Sequence, residues 1–207
     1  AGEPALVLGS VGPLGKALEP YGPLSPAEAR AAFREQMEGL LAGGVDGFII
    51  ETMSDPREAV EALAAARELC RLPVVLEFSF SREGQSLLGL TPRAVARALA
   101  ELLASQPEWW PEVVGVNCGA GPQPVTEALR ALAAALQEVA GSRPGPLYLA
   151  ALPNAGLPTR VGGRFLYPTH PRYFGEFVPR FVEAGARLVG GCCGTTPAHL
   201  AAMRAAL

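Results

Sequence analysis

One alternation runs the whole length of the chain. A short apolar, β-branched run is followed by a Gly/Pro loop and then by a stretch of helical periodicity. The apolar runs are Ala5–Gly9, Val45–Ile50, Val74–Phe80, Val113–Asn117, Leu147–Leu152 and Arg187–Gly190. They are continuous more than alternating, as strands buried on both faces are. Several periodic stretches open on a cap-then-proline signal: Ser25-Pro26-Ala27-Glu28, Asp55-Pro56-Arg57-Glu58, Thr91-Pro92 and Thr196-Pro197. The capping oxygen accepts an orphan N–H of the first turn, and proline fits where no N–H is needed. In the first stretch Phe33, Met37, Leu40 and Leu41 share a face that Arg30, Arg34 and Glu38 avoid. The helices are expected to end near Gly43, Leu69, Ser105, Gly141, Gly185 and the C-terminus.

Six strand-then-helix units imply an α/β domain with a parallel sheet and right-handed crossovers. A doubly wound sheet and a (β/α) barrel both satisfy that pattern. A closed barrel has eight strands in about 250 residues. Six units in 207 residues match its unit size and fall two units short. No low-complexity linker divides the chain, so residues 1–207 read as one domain. A hydrophobic share of 49% against 18% charged residues excludes wholesale disorder. The longest strictly apolar runs are six residues, as in Leu147–Leu152, far short of the roughly 20 that span a bilayer. Net charge is −3 with scattered basic residues, which argues against a nucleic-acid surface. No secretory leader is visible, so the expected location is cytoplasmic and the four cysteines point to metal or catalysis before disulfides.

Three of those cysteines close strands. Cys118 ends Val113-Val114-Gly115-Val116-Asn117-Cys118, and Cys192-Cys193 end Leu188-Val189-Gly190-Gly191-Cys192-Cys193. The C-terminal ends of parallel strands share one face, where active sites are built. Neighbouring residues of a regular strand face opposite ways, so both Cys192 and Cys193 can reach one ion only if the backbone turns there. Gly190, Gly191 and Gly194 permit that turn. The helix opened by Thr196 starts just beyond, and its N-terminus favours thiolate. Three thiolates suit zinc, and three ligands with one open position describe a catalytic site better than a closed structural one. A thiol entering that position would lose its proton and remain nucleophilic toward a methyl group. The competing reading is that each cysteine is a small buried hydrophobe, or that Cys192 and Cys193 form a strained vicinal disulfide. Cys70 falls at a helix end, at the opposite pole.

Glu51 and Thr52 follow the second apolar run, where a carboxylate could bind an ammonium group or simply be solvated. Asn154, in Leu152-Pro153-Asn154-Ala155-Gly156, could contact a substrate or hold a turn. Gly9-Ser10-Val11-Gly12-Pro13-Leu14-Gly15 is not G-x-G-x-x-G, and prolines follow where a helix should open. His170 and His199 read as surface residues, and Trp109-Trp110, Phe165 and Tyr167 as loop packing.

Taken together, Gly-Val-Asn117-Cys118-Gly, Pro153-Asn154-Ala155-Gly156 and Gly190-Gly191-Cys192-Cys193-Gly194-Thr195-Thr196-Pro197 resemble the homocysteine S-methyltransferase domain family. Gly9-Ser10-Val11-Gly12-Pro13 and Ile50-Glu51-Thr52 match in the same order. The resemblance runs the length of the chain. It implies a (β/α)8 TIM-type barrel with zinc on Cys118, Cys192 and Cys193. It also implies that Glu51 holds the amino group of homocysteine, that Asn154 lies beside metal and substrate, and that methionine is the product. The Glu51-Thr52-Met53-Ser54-Asp55 stretch is most similar to the homocysteine module of cobalamin-dependent methionine synthase. That likeness implies methylcobalamin as donor, carried on another module and recharged from methyltetrahydrofolate. Betaine and S-methylmethionine enzymes share these motifs. The family opens with two further βα units, the first bearing a Gly-rich loop that helps bind the amino acid. The six units here correspond to the third to eighth, and full activity is expected to need the other two. Two readings from other classes compete: a phosphate-binding barrel using Gly190-Gly191 and the last helix N-terminus, and a non-catalytic zinc-binding remnant.

Overall fold

A computed structural model describes residues 5–139 and 145–207. Six parallel strands form one sheet: β1 (Leu8–Val11), β2 (Gly47–Met53), β3 (Val74–Phe78), β4 (Val113–Cys118), β5 (Tyr148–Pro153) and β8 (Ala186–Val189). Between β5 and β8 lies an antiparallel hairpin of β6 (Thr159–Val161) and β7 (Arg164–Leu166). The helices are α1 (Pro26–Ala42), α2 (Pro56–Leu69), α3 (Pro92–Leu102), α4 (Pro122–Val139), α5 (Pro171–Glu183) and α6 (Pro197–Ala205).

Strand order in the large sheet follows chain order, with every pair parallel. A doubly wound sheet reverses its order at a switch point. Here each right-handed crossover advances the same way, so all helices collect on one face. Successive helices accordingly pack on one another as a single outer layer. This is part of a (β/α) barrel wall, with β1 and β8 as its open edges among the described residues.

The main core lies between wall and helices. Val11, Phe48, Ile50, Leu76, Val114 and Ala151 point outward from the strands to meet Phe33, Met37, Leu63, Leu99, Leu129, Phe174 and Phe181. The intervening residues face the barrel interior. Going up the wall these are Ile49, Val75 and Val113, then Glu51, Glu77 and Gly115, and then Asn117. Polar groups therefore gather on the inner face toward the strand C-termini.

The caps form as the sequence predicts. Ser25 and Glu28 close a capping box, Asp55 accepts from the Arg57 N–H, and Thr91 from that of Ala94. The helix end read at Gly141 lies outside the described residues. The first strand sits three residues later than the apolar run suggested, because pairing begins at Leu8↔Gly47 while Leu6 and Val7 remain exposed. The β6–β7 hairpin was not foreseen. Its signal was Gly162-Gly163, both at positive φ, which matches the turn that joins tightly twisted strands.

Candidate active site

The cluster begins where β4 leaves the sheet. Cys118 is the last residue of β4 and has φ 58, a left-handed backbone that swings its Sγ off the strand. From the other side, Gly190-Gly191 carry the chain beyond β8. The Cys192 N–H then bonds Pro153 O at 2.9 Å, and the Ala155 N–H bonds Cys193 O at 2.9 Å. The Thr195 hydroxyl donates to Cys192 O at 2.7 Å and fixes the turn. The three sulfurs all lie within 4.8 Å of one another, and Cys192 and Cys193 Sγ are 3.8 Å apart. Tetrahedral zinc with sulfurs at ~2.3 Å separates them by about 3.8 Å. Among the described residues this is the one cluster of three or more metal-ligating side chains.

The protons tell the same story. Cys118 is held below the usual thiol range, first by a hydrogen bond from Cys192. Cys192 is pushed far up by sharing that bond and by burial, and Cys193 is raised by burial and by Cys192. Without a cation, ionising one thiol of the set disfavours ionising its neighbours. Three sulfurs this close ionise together only around positive charge, so the donor set fits zinc.

A buried amide joins this cluster to the next strands. Asn117, fully buried, accepts the Thr52 N–H at 2.9 Å. Its Nδ2 donates to Thr52 Oγ1 at 2.8 Å, to Glu51 Oε2 at 3.3 Å and toward Cys192 Sγ at 3.8 Å. Thr52 has φ 62, an expensive conformation for a β-branched residue. Pairing of β2 with β3 shifts here: Ile50 faces Leu76 and Met53 faces Phe78. Glu51 and Thr52 together therefore oppose the single residue Glu77, a bulge that re-aims both side chains. Glu51 Oε1 also accepts from Ser10 Oγ at 2.6 Å.

The structure thus brings Cys118, Cys192, Cys193 and Glu51 to one end of the wall. Asn154 is there too, and buried, but its polar atoms serve the chain. Its Nδ2 donates to Gly119 O at 2.6 Å and toward Cys118 Sγ at 4.0 Å, and its Oδ1 accepts the Gly156 N–H at 3.2 Å. Cys70 caps α2, at the other end of its strand–helix unit. His199 corrects the surface reading: it is 5% exposed, its Nδ1 lies 3.1 Å from the Thr196 N and its Nε2 2.9 Å from Thr169 O. It does the work of a glutamate in the cap of α6, and its ring meets Phe174 edge-on. His170 caps α5 and is exposed. Phe165 is exposed rather than packed, whereas Tyr167 sits on Gly194, next to the cysteine cluster. A cleft of about 400 Å³ beside Cys118 is lined by Phe80, Leu87, Gly119 and Leu157. Sequence reasoning passed over Asn117, Ser10, Tyr167 and Glu77 as site residues. Asn117 and Glu77 had a signal: each is a polar letter inside an apolar strand run.

Comparison with known proteins adds identity to this geometry. A family model described as homocysteine S-methyltransferase matches residues 1–207. A methionine synthase of Mycobacterium tuberculosis is 34% identical over 97% of this chain, and the match covers 16% of that protein. The apo crystal structure of the homocysteine methyltransferase MmuM from Escherichia coli superposes with TM-score 0.70 at 28% identity, covering 98% of this chain and 62% of that one. Its metallated form superposes at 0.67 with the same 28% identity, covering 97% and 60%. The chain therefore spans about one sixth of the curated relatives it matches. Among the described residues no helix is long and apolar enough to cross a membrane.

Proposed function

The chain belongs to the homocysteine S-methyltransferase family, and on that premise we propose that it holds homocysteine for transfer of a methyl group to its sulfur, giving methionine. The observation that carries this reading is the convergence of three cysteine sulfurs within 4.8 Å beside a carboxylate held by Ser10 and Asn117. Cys118, Cys192 and Cys193 would hold zinc, which supplies a position where a thiol loses its proton at neutral pH. Glu51 binds the substrate ammonium, its carboxylate aimed by Ser10 Oγ and Asn117 Nδ2. Asn154 orients Cys118 through Gly119 O and its N–H toward the sulfur, so its part is to shape the metal loop beside the substrate. The amides of Asn117 and Asn154 direct N–H groups at Cys192 and Cys118, which tempers their charge and keeps them as ligands. The apolar cleft beside Cys118 leaves room for a methyl donor on the sulfur's open side.

For the donor we infer methylcobalamin, carried on a cobalamin-binding module and recharged by a methyltetrahydrofolate-binding one. The likeness to methionine synthase supports this. Residues 1–207 then act as the third to eighth units of one barrel domain. Free thiols at the site suit a reducing compartment, the cytoplasm. The zinc-loaded protein should bind homocysteine, and together with the two preceding units of the barrel it should form methionine with methylcobalamin. Turnover with betaine or S-methylmethionine instead would move it to the stand-alone class. A zinc-loaded protein that binds no homocysteine would end the reading.

A further inference from the structure

Among the described residues Glu77 is a charged side chain of the inner wall whose carboxyl oxygens bond to nothing. It is fully buried at the middle of β3, and neither carboxyl oxygen has a hydrogen-bond partner. Buried polar groups in folded proteins are paired with few exceptions, because an unmade bond costs the desolvation of the group. Among the described residues no partner gives it a structural role. Among the described residues no cation compensates it: the charged groups acting on Glu77 are Glu51 and Cys192, both negative when ionised. Those two neighbours locate it. Glu77 lies across the bulge from Glu51 and Thr52, beside Gly115 of β4, between the carboxylate of β2 and the cysteine cluster. Gly115 is a glycine because β5 passes close there: a Cβ would overlap Ala150.

We propose that Glu77 is a second carboxylate for the substrate's ammonium group, completing from β3 the site that Glu51 begins on β2. The inference rests on the reading of the site as a homocysteine site. An ammonium carries three N–H donors and needs three acceptors around it. Glu51 is already engaged by Ser10 and Asn117, and cannot supply them all. Glu77, Glu51 and the Thr52 hydroxyl stand opposite one another across the bulge and would offer three acceptors. A divalent metal ion fits this place less well, since calcium or magnesium needs six or more oxygens and these residues offer few. Burial and the neighbouring negative groups hold the Glu77 carboxyl well above the usual carboxylate range. An arriving ammonium would supply the positive charge that this carboxyl lacks.

The test compares homocysteine with 4-sulfanylbutanoate, which has the same carbon chain and thiol but no amino group. Binding of each to zinc-loaded parent, Glu77→Gln and Glu77→Leu is measured by calorimetry, with zinc content and melting temperature as controls. Glu77→Gln should weaken homocysteine about tenfold to a hundredfold, the range of a hydrogen bond to a charged group, and leave 4-sulfanylbutanoate within about twofold. Glu77→Leu removes an unpaired buried carboxyl, so it should melt at or above the parent while losing the same preference. If both variants keep the parent's preference for homocysteine, Glu77 has no part in the ammonium site and the function stands without it. Equal losses of both thiols assign Glu77 to the metal or the fold and overturn the inference. A parent that binds neither thiol overturns the proposed function itself.

Discussion

Replacing Asn117 by alanine should unsettle both ends of the site at once. The amide makes two short hydrogen bonds to Thr52, 2.9 and 2.8 Å, and a longer one to the Glu51 carboxylate, 3.3 Å. At about 1 kcal/mol for each neutral bond and about 1.5 for the charged one, alanine forfeits about 3.5 kcal/mol. Some is returned, because an unclamped Thr52 can leave its φ of 62 and shed about 1 kcal/mol of strain. The net expectation is a loss of about 2–3 kcal/mol, read as a lower urea midpoint at unchanged slope. Asn117→Asp separates the two functions of the amide. It keeps the oxygen that accepts the Thr52 N–H and puts a second oxygen where Nδ2 faced Glu51 and Cys192. Like-charged neighbours raise the folded pKa of such a carboxyl above its unfolded value. The stability it allows is then fully present at acid pH and lost as pH rises through the folded pKa. The aspartate protein should therefore approach the alanine protein or better near pH 4 and fall below it at pH 8. An alanine variant within about 0.5 kcal/mol of the parent would refute the clamp, and a pH-independent aspartate penalty would refute the electrostatic half.

Two further substitutions probe the metal loop. Cys118→Ser should lose zinc affinity on the order of a hundredfold while Cys70→Ser keeps it, since structural zinc is worth about 10–16 kcal/mol over four ligands; metal analysis after competitive chelation decides, and full zinc in the serine variant removes Cys118 from the site. Gly194→Ala should cost about 2–3 kcal/mol, because a Cβ there would overlap the Tyr167 ring and the backbone is left-handed, φ 77. In a Tyr167→Ala background the cost should fall to about 1 kcal/mol, and strict additivity of the two changes would contradict the contact.

The frame of the molecule was open to reading because its signals are local. Caps at Ser25, Asp55 and Thr91 form from residues within four positions of one another. What separated a barrel wall from a doubly wound sheet was strand order, which no local signal carries; the resemblance of the cysteine motifs supplied it. The cysteines were legible as a set since three thiols at strand ends have few other uses. His199 was misread because its neighbours suggest an exposed first turn, whereas Thr169 O, from the loop before α5 thirty residues upstream, covers its ring. Glu51 was seen but not its setting, because the bulge that turns it depends on the β2–β3 register and on Asn117, 66 positions away. Glu77 needed the fold most of all. A glutamate in an apolar strand can snorkel, pair or stay buried alone, and only the tertiary surroundings choose among these.

The Asn117 amide also sets a length. One rigid planar group touches the carboxylate proposed for the amine and the sulfur cluster proposed for the thiol, 3.3 Å from Glu51 Oε2 and 3.8 Å from Cys192 Sγ. A fully buried amide at the end of a central strand has no room to slide, so the gap between the two anchors is fixed by covalent geometry rather than by loops. Such a site works as a caliper. An aminothiol one methylene shorter, such as cysteine, can seat its amine or its sulfur but not both, and one methylene is worth only about 1–3 kcal/mol when it merely fills space. Losing an anchor costs a charged hydrogen bond or a metal bond as well. Discrimination between two metabolites that differ by a single carbon then needs no pocket shaped around that carbon; it follows from the spacing of two strands.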